Sequence, residues 1–314
     1  RNVVTVSTAS THALEIADTI DVNVDVGTTQ TITVKYDDFN RRIVFNPKTF
    51  IAGNVDTTEN TVTISDHGYR NGDKVIHTAT TPSGGLVDER IYYVRRFTKD
   101  KVKFCTSRHE ALKFNPVFVD ITSTSAGTLS AINPRVDAYE GSTVKFDLSD
   151  SSLSSLNGAT LYSAFDFDIY NDETFANVFD STGTSGKFEV TKIGNIGIDA
   201  NAALNLIINK FVPTELYYKF TPANISFTTP FKQEIVIDTE TYDNNKIEVV
   251  PSKYTGSHTV TGIAATSFTY NVSETPESAS YTNTNSTTTY KTNSTTAYGA
   301  IEDIQITYKG AGYE

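Results

Sequence analysis

Short runs in which Val, Ile, Thr, Tyr and Phe alternate with polar residues recur along the chain, each broken within a few residues by Gly, Asn, Asp or Pro. Side chains on an extended backbone point alternately to opposite faces, so such runs bury one face and wet the other. Asn2-Val3-Val4-Thr5-Val6, residues 31–36, 61–64, 143–146 and 234–237 all follow this pattern. The spacing of the turn residues favours sandwiches or small barrels over βαβ units. The expected fold class is therefore all-β, with several small sandwich or barrel modules in tandem. Helical patterns are confined to Ser107–Leu112 and Asp172–Phe179, and neither exceeds two or three turns. With 314 residues the chain can bury a sizeable core without disulfides.

The charge balance of 26 Lys and Arg against 37 Asp and Glu gives −11. A broad basic face for nucleic-acid phosphates is not expected, so no nucleic-acid partner is assigned. Cys105 is the only cysteine, which excludes an intrachain disulfide, a Cys-based zinc site and a CxxC redox motif. No apolar run approaches the ~18–20 residues of a membrane-spanning helix. The chain begins at Arg1, contains no Met and stops at Glu314 inside a strand-like pattern, so a segment of a longer protein is expected.

Proline and composition divide the chain. An N-terminal strand region covers 1–45, and Asn46-Pro47 opens a module that closes at Asn133-Pro134, where proline removes a ladder donor. A second block covers 135–222 and a third 223–299. The Thr-, Asn- and Ser-rich stretch from Tyr281 to Tyr298 reads as an exposed hairpin or extended arm, because regular Tyr and Thr favour strands. Residues 300–314 read as the start of a further repeat.

The most distinctive run is Asp66-His67-Gly68-Tyr69-Arg70-Asn71-Gly72-Asp73-Lys74-Val75, followed by Gly84-Gly85-Leu86, Tyr92-Tyr93-Val94 and Phe104-Cys105-Thr106-Ser107. It resembles a module repeated in structural proteins of tailed bacteriophages, notably T-even-like contractile-tailed marine cyanophages. Tyr139-Glu140-Gly141-Ser142-Thr143-Val144, Phe167–Phe175 and Pro213–Tyr218 resemble parts of a cupredoxin-like sandwich in the same proteins. Copper-type relatives carry Cys and His after the Tyr-Tyr pair, whereas Lys219 and Phe220 follow here, so the resemblance implies a sandwich without metal ligands. Ser252–Val260 and Ile304–Tyr313 resemble further segments of such virion proteins.

Candidate chemistry is sparse. Asp166 and Asp168 share one strand face and, with Asp172 and Glu173, are calcium candidates or a glycosidase-like acid pair; the calcium-loop pattern is broken by Tyr170 and by the lack of a following Gly. A solvated strand face is the plainer reading. His12, His67, His77, His109 and His258 are too scattered for a ligand cluster, and Ser65, Asp66 and His67 are consecutive, which does not make a relay. Cys105 reads as a small strand residue. Thr182–Lys187 lacks P-loop spacing, and the sequons at Asn224, Asn271, Asn285 and Asn293 reflect composition. No cofactor and no catalytic residue is assigned.

The resemblance implies a non-enzymatic structural component of a phage tail, a baseplate or tail-associated fibre, located in the virion. Its partners would be other tail proteins in a homo- or hetero-oligomer, with no membrane span. The alternative is a carbohydrate-binding adhesin or receptor-binding module.

Overall fold

The computed structural model describes residues 2–8, 10–23, 28–38, 42–157, 159–179, 189–209, 212–224, 245–252 and 254–272, with the strand backbones of 280–282, 289–292 and 298–308. The described residues are nearly all β, with one α-helix, Arg108–Leu112, and two single-turn 3-10 segments. The alternation expected from sequence is present: Thr29–Asp37 buries Ile32, Val34 and Tyr36, and Thr143–Asp147 buries Val144 and Phe146.

Both ends of the described chain meet in one sheet. Asn2–Thr8 pairs with Ser267–Val272, which pairs with Gly256–Ala264, then Thr19–Asn23, Thr289–Thr292 and Tyr298–Tyr308, and this last strand returns to Asn2–Thr8. Every pairing is antiparallel and the ladder closes on itself, so the six strands of the ring are each paired on both sides, and Ser280–Thr282 adds to Tyr298–Tyr308 as a seventh strand outside the ring. A small core of Val4, Val6, Ile20, Tyr254, Phe268 and Tyr270 belongs to this ring.

The middle of the chain forms an eleven-stranded sheet and a four-stranded sheet. The smaller sheet orders Val136–Tyr139, Lys246–Val250, Glu215–Pro222 and Phe165–Tyr170, and it faces the half of the larger sheet that contains Thr143–Asp147 and Thr29–Asp37. Between them lie fully buried aromatics: Phe167 stacks on Phe220 at 4.2 Å, with Phe146 4.9 Å from Phe167 and Phe45 5.5 Å from Tyr218. The two facing sheets form a sandwich, as an all-β fold implies, with strands drawn from outside 135–222 as well as within it. Lys219 lies with its ammonium 5.2 Å from the Phe175 ring centroid, and Phe220 is in the core. The other half of the larger sheet carries the Asp66–Val75 module, and its core residues Tyr92, Val94, Val102 and Phe104 are continuous with those of the sandwich.

These pairings cut across the sequential blocks. Residues 1–45 are divided, since Asn2–Thr8 and Thr19–Asn23 join the C-terminal ring while Thr29–Asp37 pairs in parallel with Thr143–Asp147 of the sandwich. Asn46-Pro47 does not end an element. Arg42–Phe50 runs through it, pairing over Arg42–Phe45 with Asp37–Val34 and over Phe45–Phe50 with Ala131–Gly127. Asn46 turns the corner with φ 45°, and its Oδ1 accepts from the Thr33 amide at 2.9 Å. Lys246–Val250 belongs to the sandwich, and Tyr298–Tyr308 closes the ring against the first strand. The stretch read as an arm thus supplies strands to a ring.

The helix at Arg108–Leu112 has the expected place, capped by Ser107 Oγ accepting from the Glu110 amide. Asp172–Phe179 is a turn, not a helix. The Asp172 carboxylate accepts from the amides of Thr174, Ala176 and Asn177, and this local alternative outcompetes helical bonding. Residues 234–237 lie outside the described residues.

Candidate functional site

A cleft of about 390 Å³ opens where the Asp66–Val75 loop meets the sandwich, lined by Thr28, Gln30, Arg70, Asp73, Arg135 and Asp137, with Tyr139 and Ser142 beside them. The loop is fixed locally. The Asp73 carboxylate accepts from the Arg70 amide at 2.8 Å, and the Gly72 amide and Val94 carbonyl, then the Val94 amide and Asp73 carbonyl, bond at 2.8 Å each. Gly68 and Gly72 have φ of 71° and 88°, the left-handed conformations that the loop needs. Burial holds the Asp73 carboxyl above its ordinary pKa.

Arg70 forms an ion pair with Asp137, which also lies 3.5 Å from Arg135 Nε, and Arg135 reaches Glu248. One cation comes from the module and one from the junction. Behind them, the Tyr218 hydroxyl donates to the Pro134 carbonyl at 2.6 Å, and Asn245 donates from its amide to the Asn133 carbonyl at 3.2 Å and from Nδ2 to the Tyr218 carbonyl at 3.0 Å. Asn133-Pro134 is therefore a pinned joint between two bodies that already share a strand and a core. Chemically the cleft is a clamp: its charges are turned toward one another across the junction.

A double-mutant cycle over Arg70→Ala and Asp137→Ala is expected to give a coupling of about 1 kcal/mol, modest because both side chains are partly exposed. Urea unfolding in low salt and in 1 M salt checks it, with the coupling shrinking as salt screens the pair.

The candidates from sequence have structural roles. Asp166 and Asp168 share the outer face of Phe165–Tyr170, and Asp168 Oδ1 takes Lys192 Nζ at 2.5 Å. The four carboxylates do not converge: Asp172 spends its oxygens on its own turn, which lowers its pKa to about 2 through the Thr174 hydroxyl and the turn amides. Among the described residues, no three of His, Cys, Asp and Glu form a group that could hold a metal. His67 Nδ1 accepts from the Tyr69 amide at 2.9 Å and Nε2 faces the Thr98 carbonyl at 3.0 Å, so its ring is spent on the loop and not on Ser65 or Asp66. His12 bonds the Ser267 carbonyl at 2.9 Å, and His109 is exposed on the helix. Cys105 is fully buried, and burial pushes its thiol pKa up, away from the thiolate a nucleophile needs. Thr182–Lys187, Asn285 and Asn293 lie outside the described residues. Asn224 is exposed and Asn271 half-buried in a strand.

Sequence reasoning missed Arg70, Arg135, Asp137, Glu248 and Tyr218 as a set. Arg70 sits inside the distinctive motif, yet its partner lies in another block, so no local spacing marks the pair.

His67, His77 and His258 have pKa values lowered by burial, each ring facing a backbone carbonyl with one nitrogen: Thr98, Val87 and Tyr254 respectively. Their folded values lie below the unfolded value near 6.5, so the unfolded chain binds more protons as pH falls. Their stabilisation is complete above about pH 6.5 and is lost as pH drops through the folded values. Stability is expected to fall between pH 7 and 5.5 with a slope of up to ~1.4 kcal/mol per pH unit for each histidine. Asp73 and Glu89, whose carboxyls are raised mainly by desolvation, act with the opposite sign in a lower window starting near their unfolded values. Urea midpoints across pH 5.5–7 check the histidine effect, and Tyr or Phe replacements at His258 should flatten it.

No helix among the described residues is long and apolar enough to cross a membrane. No protein-family model, curated protein or solved structure matches this chain.

Proposed function

We propose that the chain is a structural component of a bacteriophage tail, a baseplate or tail-associated fibre, that works through protein–protein interfaces and performs no reaction. The observation that carries this reading is the joint: the module with the phage-like Asp66–Val75 run and the sandwich share the strand Arg42–Phe50, one aromatic core and an ion-paired clamp. A body built this way keeps its outer surfaces at fixed mutual angles, which is what a part of a multi-subunit machine requires. Close-packed cores transmit force with little compliance, and closure of the strand ring ties the first described strand to the last. Net negative charge keeps free copies soluble before assembly.

Mass spectrometry of gradient-purified tailed cyanophage particles tests the proposal. The protein is expected at a fixed copy number per particle and in the tail fraction after disassembly. Its absence from particles would overturn the reading.

The second reading, a carbohydrate-binding adhesin, is favoured by Tyr139, 52% exposed beside Gln30, Arg70 and Asp137 in the cleft, since an aromatic face with planar polar groups suits a sugar ring. A glycan array with wild type and Tyr139→Ala decides it: micromolar binding lost in the variant supports the adhesin.

A further inference from the structure

Residues 95–113 carry seven Lys and Arg against two Asp and Glu, a net of +5 in a chain of net −11, which leaves −16 for the rest. Both acids of this segment are already paired, Asp100 with Lys99 and Glu110 with Lys113. The strand pair Arg90–Arg96 and Lys101–Cys105 sets Arg95 directly opposite Lys103, an arrangement that costs stability in isolation. Lys103 is held between the Phe97 and Phe118 rings, 4.7 Å from each centroid, and Arg95 Nη1 donates to the Ala111 carbonyl at 3.0 Å. In the same segment Phe114 is 93% exposed and Val117 70% exposed. Exposed Phe beside Arg and Lys is the composition of an interface centre, where apolar anchors bury and charges orient.

The sandwich carries the complement. Residues 146–179 contain six Asp and Glu and no Lys or Arg, and of the six, Asp150 pairs with Lys35 and Asp168 with Lys192 from other strands. Within residues 146–179, the hairpin Ser154–Asn157 and Thr160–Ser163 exposes Leu156 (72%), Leu161 and Tyr162, and Asp166 and Glu173 are also exposed. Strand order sets the two faces apart within one chain. Along the large sheet, Lys101–Cys105 and Thr143–Asp147 are six strand steps apart, roughly 30 Å at ~4.8 Å per step.

We propose that the basic, Phe-bearing face of residues 95–118 docks onto the acidic, Leu-bearing hairpin face of a second copy of this chain. Because the two patches differ, the contact is heterologous and leaves a free patch at each end, so copies add head to tail into a ring or a row. The inference rests on the structural reading above and names one partner for it.

Sedimentation of the chain at low and high salt tests this. At about 20 mM salt the weight-average mass is expected to rise with concentration past twice the 34.4 kDa of one chain, and to fall toward one chain near 1 M salt, where charges are screened beyond ~3 Å. Lys103→Glu with Phe114→Ser spoils only the basic face, and Asp166→Lys with Leu156→Ser only the acidic one; Phe114, Asp166 and Leu156 are exposed and Lys103 is half-buried. Each variant alone is expected to stay a single chain, with unchanged circular dichroism, and an equimolar mixture to form a dimer and nothing larger. A wild-type chain that stays single at low salt, variants that associate like wild type, or retention on a polyanion such as heparin with no self-association would each overturn the proposal. Particles that contain the protein while it stays single in solution would sink this contact alone. Association in solution without presence in particles would sink the tail reading instead.

Discussion

Phe167→Ala is expected to lower unfolding stability by about 3–5 kcal/mol, a large part of the ~5–15 kcal/mol that a typical domain has. Phe167 sits at the centre of the sandwich with 1% of its surface exposed, stacked on Phe220 and in contact with Phe146 and Tyr218. Removing it opens a cavity among large rings that are themselves held in two facing sheets and cannot collapse into the space. Urea unfolding followed by tyrosine fluorescence checks the magnitude, with the midpoint moving and the slope preserved. Phe167→Leu, which keeps most of the volume, should recover more than half of the loss.

Gly85→Ala is expected to cost about 3 kcal/mol or more, although it removes no contact. Gly85 has φ 88°, and a Cβ there would lie 1.8 Å from the Asp120 carbonyl oxygen. The left-handed conformation alone costs a side chain roughly 1–2 kcal/mol, and the backbone overlap adds the displacement of residues 120–121. That segment is tied down by the Thr122 amide donating to the Gly84 carbonyl at 2.9 Å and by the buried Ile121, so it cannot move cheaply. Gly53→Ala is the control: nothing lies within 4 Å of the added carbon and no positive φ is required, so a change within ~0.5 kcal/mol is expected. Paired urea melts of the two variants, with far-UV circular dichroism to establish that both fold, separate local strain from a general intolerance of substitution.

Much of the fold was legible in the sequence, and the reason is local. Alternation in residues 31–36 and 143–146 fixes which face of each strand is buried, because period-2 patterning and the pleat are the same geometry. The helical pattern at Ser107–Leu112 is kept for a similarly local reason, since Ser107 caps Arg108–Leu112. The misread segments are those whose fate depends on distant partners. Asn46-Pro47 looks like a boundary, but a strand that changes neighbours also needs a left-handed corner, and Asn supplies it. Asp172–Phe179 has helical composition, yet one carboxylate captures its amides. That Asn2–Thr8 pairs with Ser267–Val272 and Tyr298–Tyr308 is invisible to any short window, since pairing between ends of a chain leaves no spacing signal.

The candidate site divides the same way. The outward placement of Asp166 and Asp168 follows from alternation, and the loop roles of His67 and Gly68 follow from turn chemistry. The clamp of Arg70, Arg135, Asp137 and Glu248 was hidden because its members come from separate strands and loops and acquire meaning only when the sheets bring them together.

Native-state hydrogen exchange on wild type and Phe167→Ala addresses the shared core most directly. The slowest amides of Lys101–Cys105 in the module and of Glu215–Pro222 in the sandwich report opening of their own bodies. If the two halves are one cooperative unit, these amides open with the same free energy, and Phe167→Ala lowers both by the same amount even though it lies in the sandwich. Protection lost in Glu215–Pro222 while Lys101–Cys105 keeps its wild-type value would mean two independent bodies on a hinge, and the rigid-component account would be wrong.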